Sequence, residues 1–151
     1  MNTVSNEREN KVASKLNPYV TFDGKAREAL EFYRDVFGGE LNVNTFGDFG
    51  NEAGGESDKI MHSQLETDAG FTLMAADNPP GQDYTPGNNY AISLSGDDSE
   101  TLRDNWKQLS DGGNVMVQLE KQMWGDEFGM LTDRFGVAWM VNIAGDQSQQ
   151  A

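Results

Sequence analysis

The sequence predicts an α+β fold built from two βαβββ modules. The first observation is the stretch 17–39, which reads as a short apolar strand, a cap, an amphipathic helix and a glycine stop. The second is a weaker copy of it at 88–113. Both copies open on Asn-x-Tyr (Asn17 to Tyr19, Asn88 to Tyr90) and close on Gly-Gly. The third is that each copy is followed by three further segments with extended-chain character. The domain organisation that follows is a tail over 1–15, a single domain over 16–143 and a polar tail over 144–151. Within the domain, module one spans 16–76, a linker 77–87, and module two 88–143.

In module one, Leu16 to Phe22 is a strand, because Val20, Thr21 and Phe22 favour extended backbone. Asp23 is placed to cap the next helix, where its carboxylate meets free amides at the positive helix end. The spacing predicts that helix over about 24–37. Ala26, Ala29, Leu30, Tyr33 and Phe37 fall on one face. Gly38-Gly39 ends it by allowing a left-handed cap. Glu40 to Phe46 is a strand, and 47–58 is a glycine-rich acidic loop. It lacks the Gly-x-Gly-x-x-Gly spacing and the strand-to-helix setting of a nucleotide loop. Lys59 to Thr67 alternates as a strand, with His62, Gln64 and Glu66 on one face. Asp68 to Gly70 turns the chain, and Phe71 to Ala76 pairs back. Three prolines and two glycines between Asp77 and Gly87 mark the linker.

Module two repeats the order. Tyr90 to Leu94 is a strand, and Asp97 with Glu100 makes a capping-box-like helix start. Leu102, Trp106 and Leu109 form the buried stripe, and Gly112-Gly113 ends the helix. Val115 to Leu119 is a strand. Phe128 to Thr132 and Val137 to Ile143 form a hairpin around the turn Asp133-Arg134-Phe135-Gly136.

Composition narrows the function classes. The 151 residues are 36% hydrophobic and carry a net charge of −14. Such a surface repels phosphate backbones, so nucleic acid and anionic membranes are not expected partners. No apolar run is long enough for a membrane helix, and the N-terminus does not read as a signal peptide, so a cytoplasmic protein is expected. There is no cysteine and a single histidine, His62. That excludes thiolate chemistry and any single-chain site needing two imidazoles. The scattered acids, among them Asp48, Glu52, Glu56, Asp58, Asp97 and Asp98, read as a solvated surface, with no calcium-loop spacing.

As a set, several motifs resemble the vicinal oxygen chelate superfamily, the glyoxalase, bleomycin-resistance and dioxygenase group, and within it the PhnB-like branch. They are Pro18 to Gly24, Glu28 to Tyr33, Val36 to Gly39, Met61-His62, Leu73 to Ala75, Gln122 to Asp126 and Asp133 to Trp139. The resemblance covers about 16–143. It implies paired curved mixed sheets with helices outside, facing each other across a pseudo-two-fold to enclose a cleft. It also implies a homodimer, in some members with modules exchanged between chains. Metalloenzymes of the superfamily hold a divalent ion with His, Gln or Glu on the first and last strands of each module. Those positions fall near Tyr19, on Leu73 or Met74, on Asn89 or Tyr90, and on Met140. None is a histidine or a carboxylate, and phenol and thioether do not make a magnesium, zinc or iron site. No cofactor is therefore expected, and a divalent metal is disfavoured. Methyl transfer, a name often attached to PhnB-like sequences, finds no glycine-rich donor loop here.

The candidate ligand-binding residues are Tyr19, His62, Gln64, Met74, Asn89, Trp124 and Met140. His62 is the one side chain with an ordinary pKa near neutrality, and so the weak catalytic candidate, with Glu66 a distant orienting partner. Met74, Met140 and Trp124, beside Met123, Phe128 and Trp139, suit an adaptable apolar wall. Trp124 stands out because it lies in a glycine-flanked connection. The expected function is non-metal binding of a small, largely apolar molecule by a homodimer. The alternative is a metal-dependent or His62-based lyase, isomerase or dioxygenase.

Overall fold

A computed structural model describes residues 13–50 and 57–145. Most of the two expected tails, and Glu52 and Glu56 of the acidic loop, lie outside the described residues. The expected βαβββ order appears twice. Module one holds β1 (Tyr19–Phe22), α1 (Ala26–Phe37), β2 (Glu40–Thr45), β3 (Ile60–Glu66) and β4 (Thr72–Asp77). Module two holds β5 (Ile92–Gly96), α2 (Ser99–Ser110), β6 (Asn114–Lys121), β7 (Glu127–Thr132) and β8 (Ala138–Ile143). Each module makes a four-stranded mixed sheet, ordered β1-β4-β3-β2 and β5-β8-β7-β6. The first strand of each runs parallel to the last, and the other pairs are antiparallel.

Each sheet has one covered face and one open face. In module one, Val20, Phe22, Leu65, Leu73 and Ala75 are buried, while their neighbours Tyr19, Thr21, Gln64 and Met74 are not. The covered face packs against α1, which buries Ala26, Ala29, Leu30, Tyr33 and Val36. In module two, Leu94, Leu131, Trp139, Val141 and Ile143 are buried beneath α2. The two helices also touch, and the buried faces of both modules form one continuous core. Aromatic rings stitch it together. Tyr33 meets Trp139 edge-on at 5.5 Å, and Phe32 lies 5.6 Å from Phe135. The modules therefore join on their helical side, and the open faces look away from that junction.

Three local expectations differ from the structure. Asp23 does not cap α1. The first helical amide, of Ala26, donates instead to Asp77 Oδ1 at 3.0 Å, and Ile60 N–H donates to Asp77 Oδ2 at 2.8 Å. A carboxylate from the far end of β4 satisfies the helix start, a contact no local pattern reveals. The second helix begins at Ser99, with Asp98 at the N-cap position and no side-chain cap, so Asp97 is not the cap. Trp106 is half-buried rather than central to the stripe, and Asn105 is buried beside it. The double glycines do more than stop helices. A Cβ on Gly39 would lie 2.0 Å from the Glu66 carbonyl, and one on Gly113 would lie 2.4 Å from the Thr132 carbonyl. In both modules the chain passes too close to the neighbouring strand for any side chain.

The turn before β8 supplies the strongest directional contact between modules. Asp133 is 3% exposed. Its Oδ1 accepts from the amides of Phe135 (2.9 Å) and Val137 (3.0 Å). Its Oδ2 accepts from Tyr33 O–H (2.5 Å) and Trp139 Nε1–H (2.9 Å). Burial pushes the Tyr33 phenol far above its usual pKa, and the adjacent Asp133 charge pushes it further. Asp133→Ala leaves four donors without their acceptor and should cost about 3–5 kcal/mol, whereas Tyr33→Phe should cost about 1–2 kcal/mol. Urea denaturation checks both. Equal losses would mean that the carboxylate does no more than the phenol.

Candidate functional site

The register lays the predicted residues out in rows. Tyr19 pairs with Met74, Met74 with Gln64, and Gln64 with Asn42, so one row of open-face side chains crosses the first sheet. The equivalent row of the second sheet is Ser93, Met140, Met130 and Val117. Four predicted residues, Tyr19, His62, Gln64 and Met74, thus share one open face. Met140 holds the matching place on the other sheet.

Two predicted positions shift. Asn89 and Tyr90 precede β5 and are exposed. The counterpart of Tyr19 is Ser93, not Tyr90. The repeated Asn-x-Tyr is a local likeness, but the place of the strand is set by pairing with β8, where Ile92 lies opposite buried Trp139. Trp124 sits in the β6–β7 connection as expected. It is half exposed and meets Phe128 edge-on at 6.3 Å. Phe128 pairs with Asn142 and Glu120 on the open face, so Trp124 stands at that face's rim.

The open face of module one carries a polar network that sequence reasoning missed. Tyr19 reaches from β1 and His62 from β3, and the phenol oxygen lies 3.0 Å from His62 Nδ1. The rings stack with centroids 5.7 Å apart at 27°. Between them on β4 is Ala76, which pairs with Thr21, faces the open side and is nonetheless only 8% exposed. Its small side chain leaves room for the rings to meet. Burial raises the Tyr19 phenol above its usual pKa. Glu66, the expected partner of His62, is engaged elsewhere. It accepts from Thr72 Oγ1 at 2.8 Å and from Gln64 Nε2, and these bonds hold it below the usual glutamate range. The sequence signals for the pair were separate: alternation put His62 on a face with Gln64 and Glu66, and the superfamily resemblance marked Tyr19.

The second open face is richer in apolar side chains, set among Ser93, Asn142 and Glu120. Met130, Met140 and Phe128 are half-buried on it, and Met116, Val117 and Met123 are exposed nearby. The strand junctions bring together Tyr19 with Met74, and Ser93 with Met140, which offer phenol, thioether and hydroxyl groups. Among the described residues, no three of His, Asp and Glu gather around a point that could hold an ion. A cleft of about 530 Å³ where the segment before β1 meets β5 is lined by Leu16, Phe37, Phe71, Ile92 and Trp139; of these, sequence reasoning weighed only Trp139 as an apolar wall, and it is buried in the core.

A family model for the glyoxalase/bleomycin resistance protein/dioxygenase superfamily matches residues 15–141. The chain belongs to that superfamily. Among solved structures, protein PA1353 of Pseudomonas aeruginosa is 39% identical, with a TM-score of 0.80 over 89% of this chain and 100% of that one. A PhnB protein from Bacillus cereus is 21% identical, with a TM-score of 0.71 over 87% of this chain and 100% of that one, a likeness of fold. Protein YjdN of Escherichia coli is 24% identical, matching 89% of this chain and 99% of YjdN. The superfamily fold accounts for the paired modules and for strand junctions at corresponding places in each. Among the described residues, no helix is long and apolar enough to cross a membrane.

Because it lies on an open face, the Tyr19–His62 pair should contribute little to stability. His62→Ala should lower unfolding free energy by about 0.5–1.5 kcal/mol in urea. A loss as large as that expected for Asp133→Ala would identify His62 as part of the core scaffold.

Proposed function

We propose that this chain is a PhnB-like small-molecule-binding protein that works without a metal ion and as a homodimer. The observation that supports this reading best is the chemistry at the strand junctions. Metal-dependent catalysis on this fold calls for hard or imidazole ligands there, with open positions for substrate oxygens. Tyr19, Met74, Ser93 and Met140 supply neither charge nor imidazole. They do supply contact surface. Methionines re-pack around varied apolar shapes, and a phenol can orient a polar group.

The open faces support the homodimer. One chain spends the helical side of both sheets on its own core. The opposite faces carry Tyr19, His62, Gln64 and Met74 on one sheet and Met130, Met140 and Phe128 on the other. A second copy laid over them closes a cleft with a polar wall and an apolar wall. Trp124 and Met123 form its rim, and Asn89 lies outside both walls. The ligand is small and largely apolar. A surface of charge −14 leaves nucleic acid as a poor partner.

Sedimentation velocity should give a species of two chains. Tryptophan fluorescence, followed while a chemically diverse library is added, should show a saturable response to at least one apolar compound. Met140→Lys should weaken that response at least tenfold, since it buries an unpaired charge against the ligand. Elemental analysis should find only substoichiometric divalent metal, with no gain on reconstitution. A full ion per chain would sink the metal-free reading.

A further inference from the structure

The pair formed by Tyr19 and His62 has a direction. A phenol O–H is a good donor and a weak acceptor, whereas a neutral imidazole nitrogen lacking a proton is a good acceptor. At 3.0 Å from Nδ1, the favoured bond therefore runs from Tyr19 O–H to His62. With Nδ1 accepting, the ring's one proton sits on Nε2. The Tyr19 phenol is protonated at neutral pH, and desolvation pushes its pKa further up, which agrees with that direction. His62 then offers the open face an N–H donor and no free basic nitrogen.

We propose that Tyr19 and His62 form a hydrogen-bond donor site for the oxygen of a neutral, flat carbonyl compound, with His62 making the contact and Tyr19 acting as the positioning residue. This rests on the binding-protein reading and names the ligand class for it. Four observations narrow the class. The donor calls for an acceptor atom. The Glu66 carboxylate on the same face is held ionised by Thr72 and Gln64, so it repels an anionic acceptor. The charge of −14 disfavours a carboxylate or phosphate as the incoming acceptor, which leaves a neutral oxygen. Flatness is favoured because the two rings are stacked at 27° over small Ala76, making a shallow aromatic shelf with Met74 beside it.

The test uses the chain's single histidine, which makes every imidazole signal in a nitrogen-15 spectrum that of His62. Long-range nitrogen–proton correlation should show the Nε2–H tautomer in the wild type and a tautomer mixture in Tyr19→Phe. A merely structural tyrosine would leave the tautomer unmoved, and an Nδ1–H tautomer in the wild type would overturn the proposal. The ligand class is then read with 9-fluorenone and fluorene, flat compounds that differ in a carbonyl against a methylene. The wild type should prefer the ketone by about tenfold, the ratio one neutral hydrogen bond supplies. The preference should collapse towards unity in His62→Phe and fall part of the way in Tyr19→Phe. Equal binding of both compounds would overturn the donor site and leave the binding reading standing. No binding of either would overturn the ligand class, while the binding reading is decided separately by the diverse library.

Discussion

Asp133 is where the two modules exchange their most directional contact, and the rest of the chain is arranged to make that contact safe. A buried carboxylate is costly unless its oxygens are fully used. Among the described residues, no lysine or arginine forms an ion pair with it. Four N–H and O–H donors satisfy it instead, two from its own turn and one each from α1 and β8. Tyr33 belongs to module one and Trp139 to module two, so a single anion fixes the angle at which the modules meet. The rings of Phe32, Phe37 and Phe135 pack around it and keep water out. Apolar packing alone tolerates sliding, whereas a carboxylate with two donors on each oxygen does not.

Joining the modules on their helical side leaves the opposite face of each sheet uncovered within one chain. The helices and covered sheet faces are consumed by one core. What is left is a pair of open faces whose side chains the fold does not need. This is why residues as unlike as His62, Gln64 and Met74 can share a surface on which only modest hydrogen bonds hold the side chains. Asp77 serves the same separation from the other end. By capping α1 from the end of β4, it locks the sheet to its helix without using any open-face residue.

Much of this was legible in the sequence because it is periodic. The α1 stripe, the alternation of β3 and the paired Gly-Gly stops each follow from local spacing, and the module order followed from their repetition. What escaped was non-local. Asp77 read as the start of a linker and Asp133 as a turn residue, because the partners that make them structural lie 51 and 100 residues away for Ala26 and Tyr33. The site was legible to the level of strand faces. Alternation puts His62 and Gln64 on one face, the superfamily resemblance singles out Tyr19 and Met74, and the four share one face. Their contacts were not legible. Glu66 was the natural partner for His62 by distance along the strand, yet Thr72 from the adjacent strand claims it. Tyr19 meets His62 only because β4 places an alanine between them. Tyr90 seemed the twin of Tyr19 through its flanking asparagines. Pairing with β8 moves the true counterpart to Ser93.

That substitution makes the two rows chemically unequal, and the inequality bears on what a bound molecule would experience. Tyr19, Met74, Gln64 and Asn42 on one sheet correspond to Ser93, Met140, Met130 and Val117 on the other. At the third place an amide on one side stands where a thioether does on the other, and at the fourth an amide stands where there is an isopropyl group. In the proposed cleft, a ligand would meet hydrogen-bonding groups on one side and a surface richer in methionine on the other. Directional bonds lose most of their strength when misaligned by tens of degrees, whereas methionine contacts re-form at little cost. Orientation of the ligand would therefore be set by module one and tolerance of its shape by module two. A duplicated fold whose copies have diverged in this way can be selective for one polar group while accepting a range of apolar bodies around it.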